Sequence, residues 1–158
     1  MDGNPPRVLT LYVDADGCPV KDEVHRVARR CGLPVVFVAN KRMRVPEDAA
    51  NRLVIVSGDF DAADDWIVEH AVTDDIVVTA DIPLAARCLK GGARVVDPRG
   101  RIFTEDSIGD ALTSRDIAAH LRDMGEMTGG PAPYDKRDRS RFLQRLDDVI
   151  QAIRLGRR

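Results

Sequence analysis

The sequence predicts an α/β domain: an open parallel sheet of about five strands with helices on both faces, plus a helical C-terminal extension. Three observations carry that prediction. Short apolar runs alternate with helix-period segments between residues 8 and 100, the connections between them are brief, and strand signals stop beyond residue 100. At 158 residues the chain is expected to form a single domain, with a core over about 8–100 and a helical tail over about 104–158 packed on it.

The first strand is read in the run from Val8 to Val13, too continuously apolar for a strand with one wet face and so central in its sheet. It ends in Asp14 and Asp16, and Gly17 turns the chain into a helix. Pro19 is expected at the first helical position, followed by the stripe Val20, Val24, Val27, Ala28 and Cys31, with Gly32 and Pro34 as the stop. Residues 35–39 read as the second strand. KRMRVPED, 41–48, reads as a basic loop opening a short helix through Ala50. The third strand is placed at 53–57, and the next helix carries Ala63, Ile67 and Ala71 on one face with Asp61, Asp64 and Asp65 at its start. Phe60 and Trp66 read as packing residues. Residues 76–81 are the fourth strand, a short helix begins near Pro83, and ARVVDP is a brief fifth strand delivering Asp97 and the turn Pro98-Arg99-Gly100. One or two helices are expected around 106–125, a Gly/Pro-rich loop at 125–134, and a last helix with Phe142, Leu146, Val149, Ile150 and Ile153 at helical spacing.

Composition excludes several classes. Hydrophobic content of 44% is ordinary for a globular protein. No apolar run approaches the roughly 20 residues of a membrane span, so a soluble, cytoplasmic protein is expected. Residues 1–7 lack the apolar segment of a secretory signal and are expected to fray. Cys18, Cys31 and Cys88 form no CxxC pair, and His25, His70 and His120 are scattered, which speaks against a disulfide scaffold and against zinc. The net charge of −2 conceals an uneven distribution. Residues 59–81 hold eight acids and no Lys or Arg, whereas 134–158 hold eight bases against four acids. Such a chain can hold cations with one segment and a polyanion with the other, although a solvated surface of mixed charge has the same composition.

Acids at strand ends are the chemical signal. Ligands of open α/β sheets bind outside the carboxyl ends of the strands, where the strand order reverses. If the fourth strand lies beside the first, Asp14, Asp16 and Asp81 converge there, with Asp61, Asp64 and Asp65 alongside. Carboxylates that close raise one another's pKa unless a cation neutralises them, and an all-oxygen set suits magnesium or manganese. Asp14 and Asp81 are then expected within reach of one cation, bridged in its absence by water or a basic side chain. Each acid also has a structural explanation: Asp61 as a helix cap with Asp64 as its partner, Asp97 as the start of a turn. Asp14 and Asp81 lack so ready an explanation, because a carboxylate continuing a buried strand needs a partner. Cys18 at a helix N-terminus is a candidate thiolate, without a visible base. Arg99, Arg115 and Arg122 are candidate phosphate contacts or plain surface arginines.

The strings VDADGCPVK, VSGDFDAADDWI, VVTADIPLAARCLKGGARVVDPRG, SRDIAAHLRDMG and GGPAPYDKRDRSRF closely resemble the YaiI/YqxD family of uncharacterised bacterial proteins, in order and over nearly the whole chain. That family is similar to PIN-domain proteins, in which clustered acids hold magnesium or manganese for RNA cleavage. The resemblance implies a PIN-like fold, with Asp14 as the first-strand acid, Asp81 as the acid after the fourth strand, one of Asp61, Asp64 or Asp65 as the helix acid, and Asp97 as the last member. Asp16 and the long tail are not general PIN features. The expected activity is a metal-dependent phosphodiesterase acting on RNA or another nucleic acid, with Asp14, Asp16 and Asp81 catalytic and with Arg99, Arg137, Arg139 and Arg141 positioning the backbone. Two alternatives start from the same residues. In a haloacid-dehalogenase-like phosphotransferase Asp14 is the nucleophile and Asp16 the acid/base, with Ser57 or Thr79 assisting. In a binding module the KRDRSR run and the GGPAPY loop are the working surface and the acids only retain an ion.

Overall fold

The computed structural model describes residues 8–59, 61–123 and 133–157. The expected fraying of residues 1–7, the packing role of Phe60, the side chain of Arg122 and nearly all of the Gly/Pro-rich loop lie outside the described residues.

The elements run β1 (Leu11–Asp14), α1 (Lys21–Cys31), β2 (Val35–Ala39), β3 (Asn51–Ile55), α2 (Ala62–His70), β4 (Ile76–Val78), α3 (Ile82–Lys90), β5 (Arg94–Val96), β6 (Ile102–Phe103), α4 (Glu105–Asp123) and α5 (Lys136–Arg154). They form one sheet in the order β3-β2-β1-β4-β5-β6, parallel except for β6. The order reverses between β1 and β4, so β1 is central and the crevice at the carboxyl ends of β1 and β4 is the expected ligand position.

Strict alternation explains the two cores. Leu11, Val13, Val35, Phe37, Ile76 and Val78 face α1 and α5, and with Val20, Val24, Val27, Phe142, Leu146 and Ile150 they form one buried cluster. Tyr12, Val36, Val38, Val77 and Val95 point the other way, onto Ala63 and Ile67 of α2 and Leu84, Ala85 and Cys88 of α3. The tail helix is therefore structural on its apolar face. It supplies four of the buried side chains beneath β1 and β2.

Several boundaries differ from expectation. Val8 is 60% exposed, and β1 starts only at Leu11. The strand expected at 53–57 runs two residues earlier, because β2 aligns Val35 with Asn51 and Ala39 with Ile55. Residues 41–48 form no helix; their path is fixed by Asn51, whose side-chain amide donates to the Pro46 carbonyl (2.9 Å). Helix α1 starts at Lys21 rather than Pro19, with no side-chain cap from Val20. A sixth strand appears because Asp97 closes a hairpin, its carboxylate accepting the Arg99 and Arg101 amides (2.9 and 2.8 Å). Gly100 in that hairpin has φ +89° and would place a Cβ 2.8 Å from the Arg141 backbone carbon, so only glycine fits there.

Candidate acidic centre at the ends of β1 and β4

Asp14 is the last residue of β1, and alternation places it on the same side as Tyr12, toward α2 and α3. The parallel register pairs Tyr12 with Val77, so one step past each strand Asp14 meets Thr79. The Thr79 hydroxyl donates to Asp14 Oδ2 (2.8 Å) and accepts the backbone N–H of Asp81 (3.0 Å). The buried Thr79 hydroxyl thus ties the Asp14 carboxylate to the backbone of Asp81 and not to its carboxylate. Asp81 has a structural role as well: it caps α3, with Oδ1 accepting the Leu84 amide (3.0 Å). One of its oxygens is bound in the cap and its carboxyl group is exposed.

Asp16 follows through a turn in which Gly17 holds φ +72°. Its Oδ2 accepts the Asn40 amide (2.8 Å), tying the end of β2 to the centre, while Oδ1 is buried without a partner. Among the three acids at the start of α2, Asp64 feels the charges of both Asp81 and Asp14. Asp61 occupies the cap position but makes no side-chain cap bond, and Asp65 pairs with Arg87 (3.0 Å). Asp97 is occupied by its own hairpin. Burial pushes its carboxyl up, against the lowering effect of the Arg101 and Arg99 amides and charges.

Electrostatics set this group apart. Burial raises the Asp14 pKa; the Thr79 hydroxyl opposes that rise, and the charges of Asp81 and Asp16 add to it. No basic group is among the influences on Asp14. Asp64 is pushed up to about 6 by burial and then by Asp81, Asp14 and Asp61, with Arg87 alone pulling down. Among the described residues no three His, Cys, Asp or Glu side chains already stand close enough to share one ion. Cys18 is buried, and burial raises its thiol pKa, the opposite of the activated thiolate its helix position suggested.

The sequence reading missed a second group, on the α1–α5 side. Glu23 is 8% exposed; Oε1 meets Arg139 Nε (3.3 Å) and Oε2 is buried without a partner. Asp138, equally buried, takes Arg99 Nη1 (2.9 Å) and Arg141 Nη1 (3.7 Å) and completes a capping box with Asp135 at the start of α5. Tyr134 lies beneath Arg99, its buried hydroxyl unpartnered and its pKa pushed up to about 12 by burial and by Glu23. Of the four arginines expected to grip phosphate, Arg99, Arg139 and Arg141 are therefore matched by acids, and Arg137 is exposed with no ion pair among the described residues. The pattern held a signal for Glu23: it stands at i+3 from Val20 and i−4 from Val27, on the buried stripe of α1.

No solved structure matches the chain. The described residues include no helix long and apolar enough to cross a membrane. The profile described as "Uncharacterized BCR, YaiI/YqxD family" matches residues 12–152. A UPF0178 protein of Bradyrhizobium sp. (strain ORS 278) is 53% identical over 149 residues, 94% of this chain and 91% of that one. One from Brucella ovis is 52% identical over 155 residues, covering 98% and 95% of the two chains. Another from Rhodospirillum centenum is 54% identical over 154 residues, covering 95% of this chain and all of its own. With family-wide coverage from β1 to α5, the chain belongs to the bacterial YaiI/YqxD family.

Proposed function

We propose that the chain is a PIN-like, metal-dependent phosphodiesterase acting on RNA or another nucleic acid, with magnesium or manganese held by Asp14, Asp16, Asp64 and Asp81. The observation that carries this reading is a set of mutually repelling carboxylates at the switch point of the sheet, with no basic group among the described residues acting on Asp14. The donor set fits a hard cation: all oxygen, rich in negative charge, and including the orphaned Oδ1 of Asp16. When bound, such an ion supplies charge neutralisation and Lewis acidity toward a phosphodiester oxygen. The chain's own residues restrain the carboxylates one by one, Thr79 at Asp14, the Asn40 amide at Asp16 and the α3 cap at Asp81, and an ion would have to draw them closer, since no three already stand near enough to share it among the described residues. Asp64, with a pKa of about 6, can take up or release a proton near neutral pH.

The Thr79–Asp14 bond also favours the phosphotransferase alternative, which asks for a threonine at a strand end. That chemistry needs a lysine as well, and no lysine is among the charges acting on Asp14. Incubating purified protein with single-stranded RNA and manganese tests the nuclease reading. Cleavage that disappears in Asp14→Asn supports it; intact RNA, or undiminished cleavage in the variant, ends it, and beryllofluoride trapped at Asp14 would favour the phosphotransferase instead.

A further inference from the structure

We propose that the β2–β3 loop and the outer face of α1 form the surface that receives a nucleic-acid backbone and leads it to the Asp14 centre. This rests on the phosphodiesterase reading and adds the substrate path, which the sequence had placed on the tail arginines.

The loop is attached to the acidic centre at its first residue, through the Asn40 amide on Asp16 (2.8 Å). Lys41, Arg42 and Arg44 then follow, all exposed and none with an ion pair among the described residues. Met43 and Val45 alternate with them, half-buried against the core, so the loop is held down between its cations. Its far end is fixed by Asn51, whose side-chain amide reaches both Pro46 O (2.9 Å) and His25 Nδ1 (3.0 Å) on α1. A loop pinned at both ends presents its charges with little ordering cost on binding.

Between loop and helix lies a cavity of about 490 Å³, with Lys21 and Arg44 on its walls and Cys18 among its lining residues. Asp22 borders it and also borders the next hollow along α1, of about 670 Å³, which carries Arg26 and Arg29. Lys21 and Arg44 line the first hollow and Arg26, Arg29 and Arg30 the second, while Lys41 and Arg42 lie on the same loop as Arg44; apart from Arg30, which meets Asp147, none of these is paired with an acid among the described residues. By contrast Arg99, Arg139 and Arg141 already answer Asp138 and Glu23. Unpaired cations release no internal partner when they meet phosphate, so this surface is the one suited to a polyanion. The loop segment carries no aromatic side chain for base stacking, which makes the contacts backbone contacts without sequence preference.

The test is fluorescence anisotropy of a labelled single-stranded oligoribonucleotide in EDTA, across a potassium chloride series, for wild type, Lys41→Ala/Arg42→Ala/Arg44→Ala and Arg137→Ala/Arg141→Ala. The loop variant is expected to bind about tenfold or more weakly, with the slope of log K against log salt reduced by about 2, three phosphate contacts at about 0.7 each. The tail variant is expected within about twofold of wild type. Wild type that binds neither this RNA nor the matching DNA, or a loop variant with wild-type affinity and slope, overturns the proposal. A manganese cleavage assay separates the two readings. Loop-dependent binding without cleavage keeps the surface and removes the phosphodiesterase; cleavage at equal rates in wild type and loop variant, below saturation, removes the surface and keeps the chemistry.

Discussion

Two charged regions flank the carboxyl end of β1, and they are built on opposite rules. Around Glu23 and Asp138 three arginines are matched by acids: Arg139 by Glu23, Arg99 and Arg141 by Asp138. Around Asp14 like charges are collected: Asp81 and Asp16 act on Asp14, Asp81, Asp14 and Asp61 act on Asp64, and Arg87 opposes at Asp64 from the edge. The first pattern is what holds a helix onto a domain. The second costs stability wherever nothing neutralises it, and such an arrangement persists where a ligand of opposite charge supplies the missing half.

The largest break in this contrast is expected from chemistry. Asp14→Asn should lower manganese-dependent RNA cleavage by about a hundredfold or more, equivalent to about 3 kcal/mol of transition-state stabilisation, read from initial rates. In the matched region, Asp138→Ala removes the ion pair with Arg99 and half of the capping box. It should cost about 2 kcal/mol in urea denaturation without changing manganese affinity. Asp81 separates its two roles by choice of substitution. Asp81→Ala loses the α3 cap, for about 1 kcal/mol, whereas Asp81→Asn keeps the cap and relieves repulsion, so its metal-free melting temperature should hold or rise. In both variants the stabilisation conferred by manganese should fall.

Titration sharpens the contrast further. Because the folded-state pKa of Asp64 lies above the ordinary 3.8, at about 6, the folded state binds the extra proton between those values. The contribution of Asp64 to stability therefore falls as pH rises from about 4 to 6 and levels off above, by on the order of 1 kcal/mol after solvent screening of a partly exposed group. Asp64→Asn should flatten that slope, and so should saturating manganese. The smallest effect belongs to Arg87→Ala: within about 0.5 kcal/mol in stability, with the Asp64 titration, followed by carboxyl NMR, moving upward.

Much of the fold is legible in the sequence, because periodicity reports burial and most elements here are buried on a definite face. The β2, α3 and α5 segments appear where the pattern puts them, and β4 does lie beside β1. The failures arise where pattern and burial part company. Val8 is apolar but exposed, and β3 is an edge strand whose half-exposed residues leave its register to β2. At the centre, strand-end position marked Asp14, Asp16 and Asp81, but it could not choose among Asp61, Asp64 and Asp65, which differ by rotation about one helix. Nor could charge counting separate roles among the eight acids of 59–81: Asp75, 2% exposed, accepts the amides of Thr10 and Val72 and belongs to the loop before β4. The same limit hid the matched pairs of α5, since an arginine-rich run shows its charge and not its partners.

The placement of α5 has a consequence for the order in which the molecule can be made. Phe142, Leu146 and Ile150 are completely buried against side chains of β1, β2 and β4, which leave the ribosome about 65 to 140 residues earlier, roughly 3–28 s at ordinary synthesis rates of about 5–20 residues per second. During that interval the opposite face, closed by α2 and α3, can form, while Leu11, Phe37 and Val24 wait uncovered. The nascent chain thus has one finished side and one sticky side until its last helix emerges, and a stalled or shortened product would be drawn to chaperones and proteases through that single face.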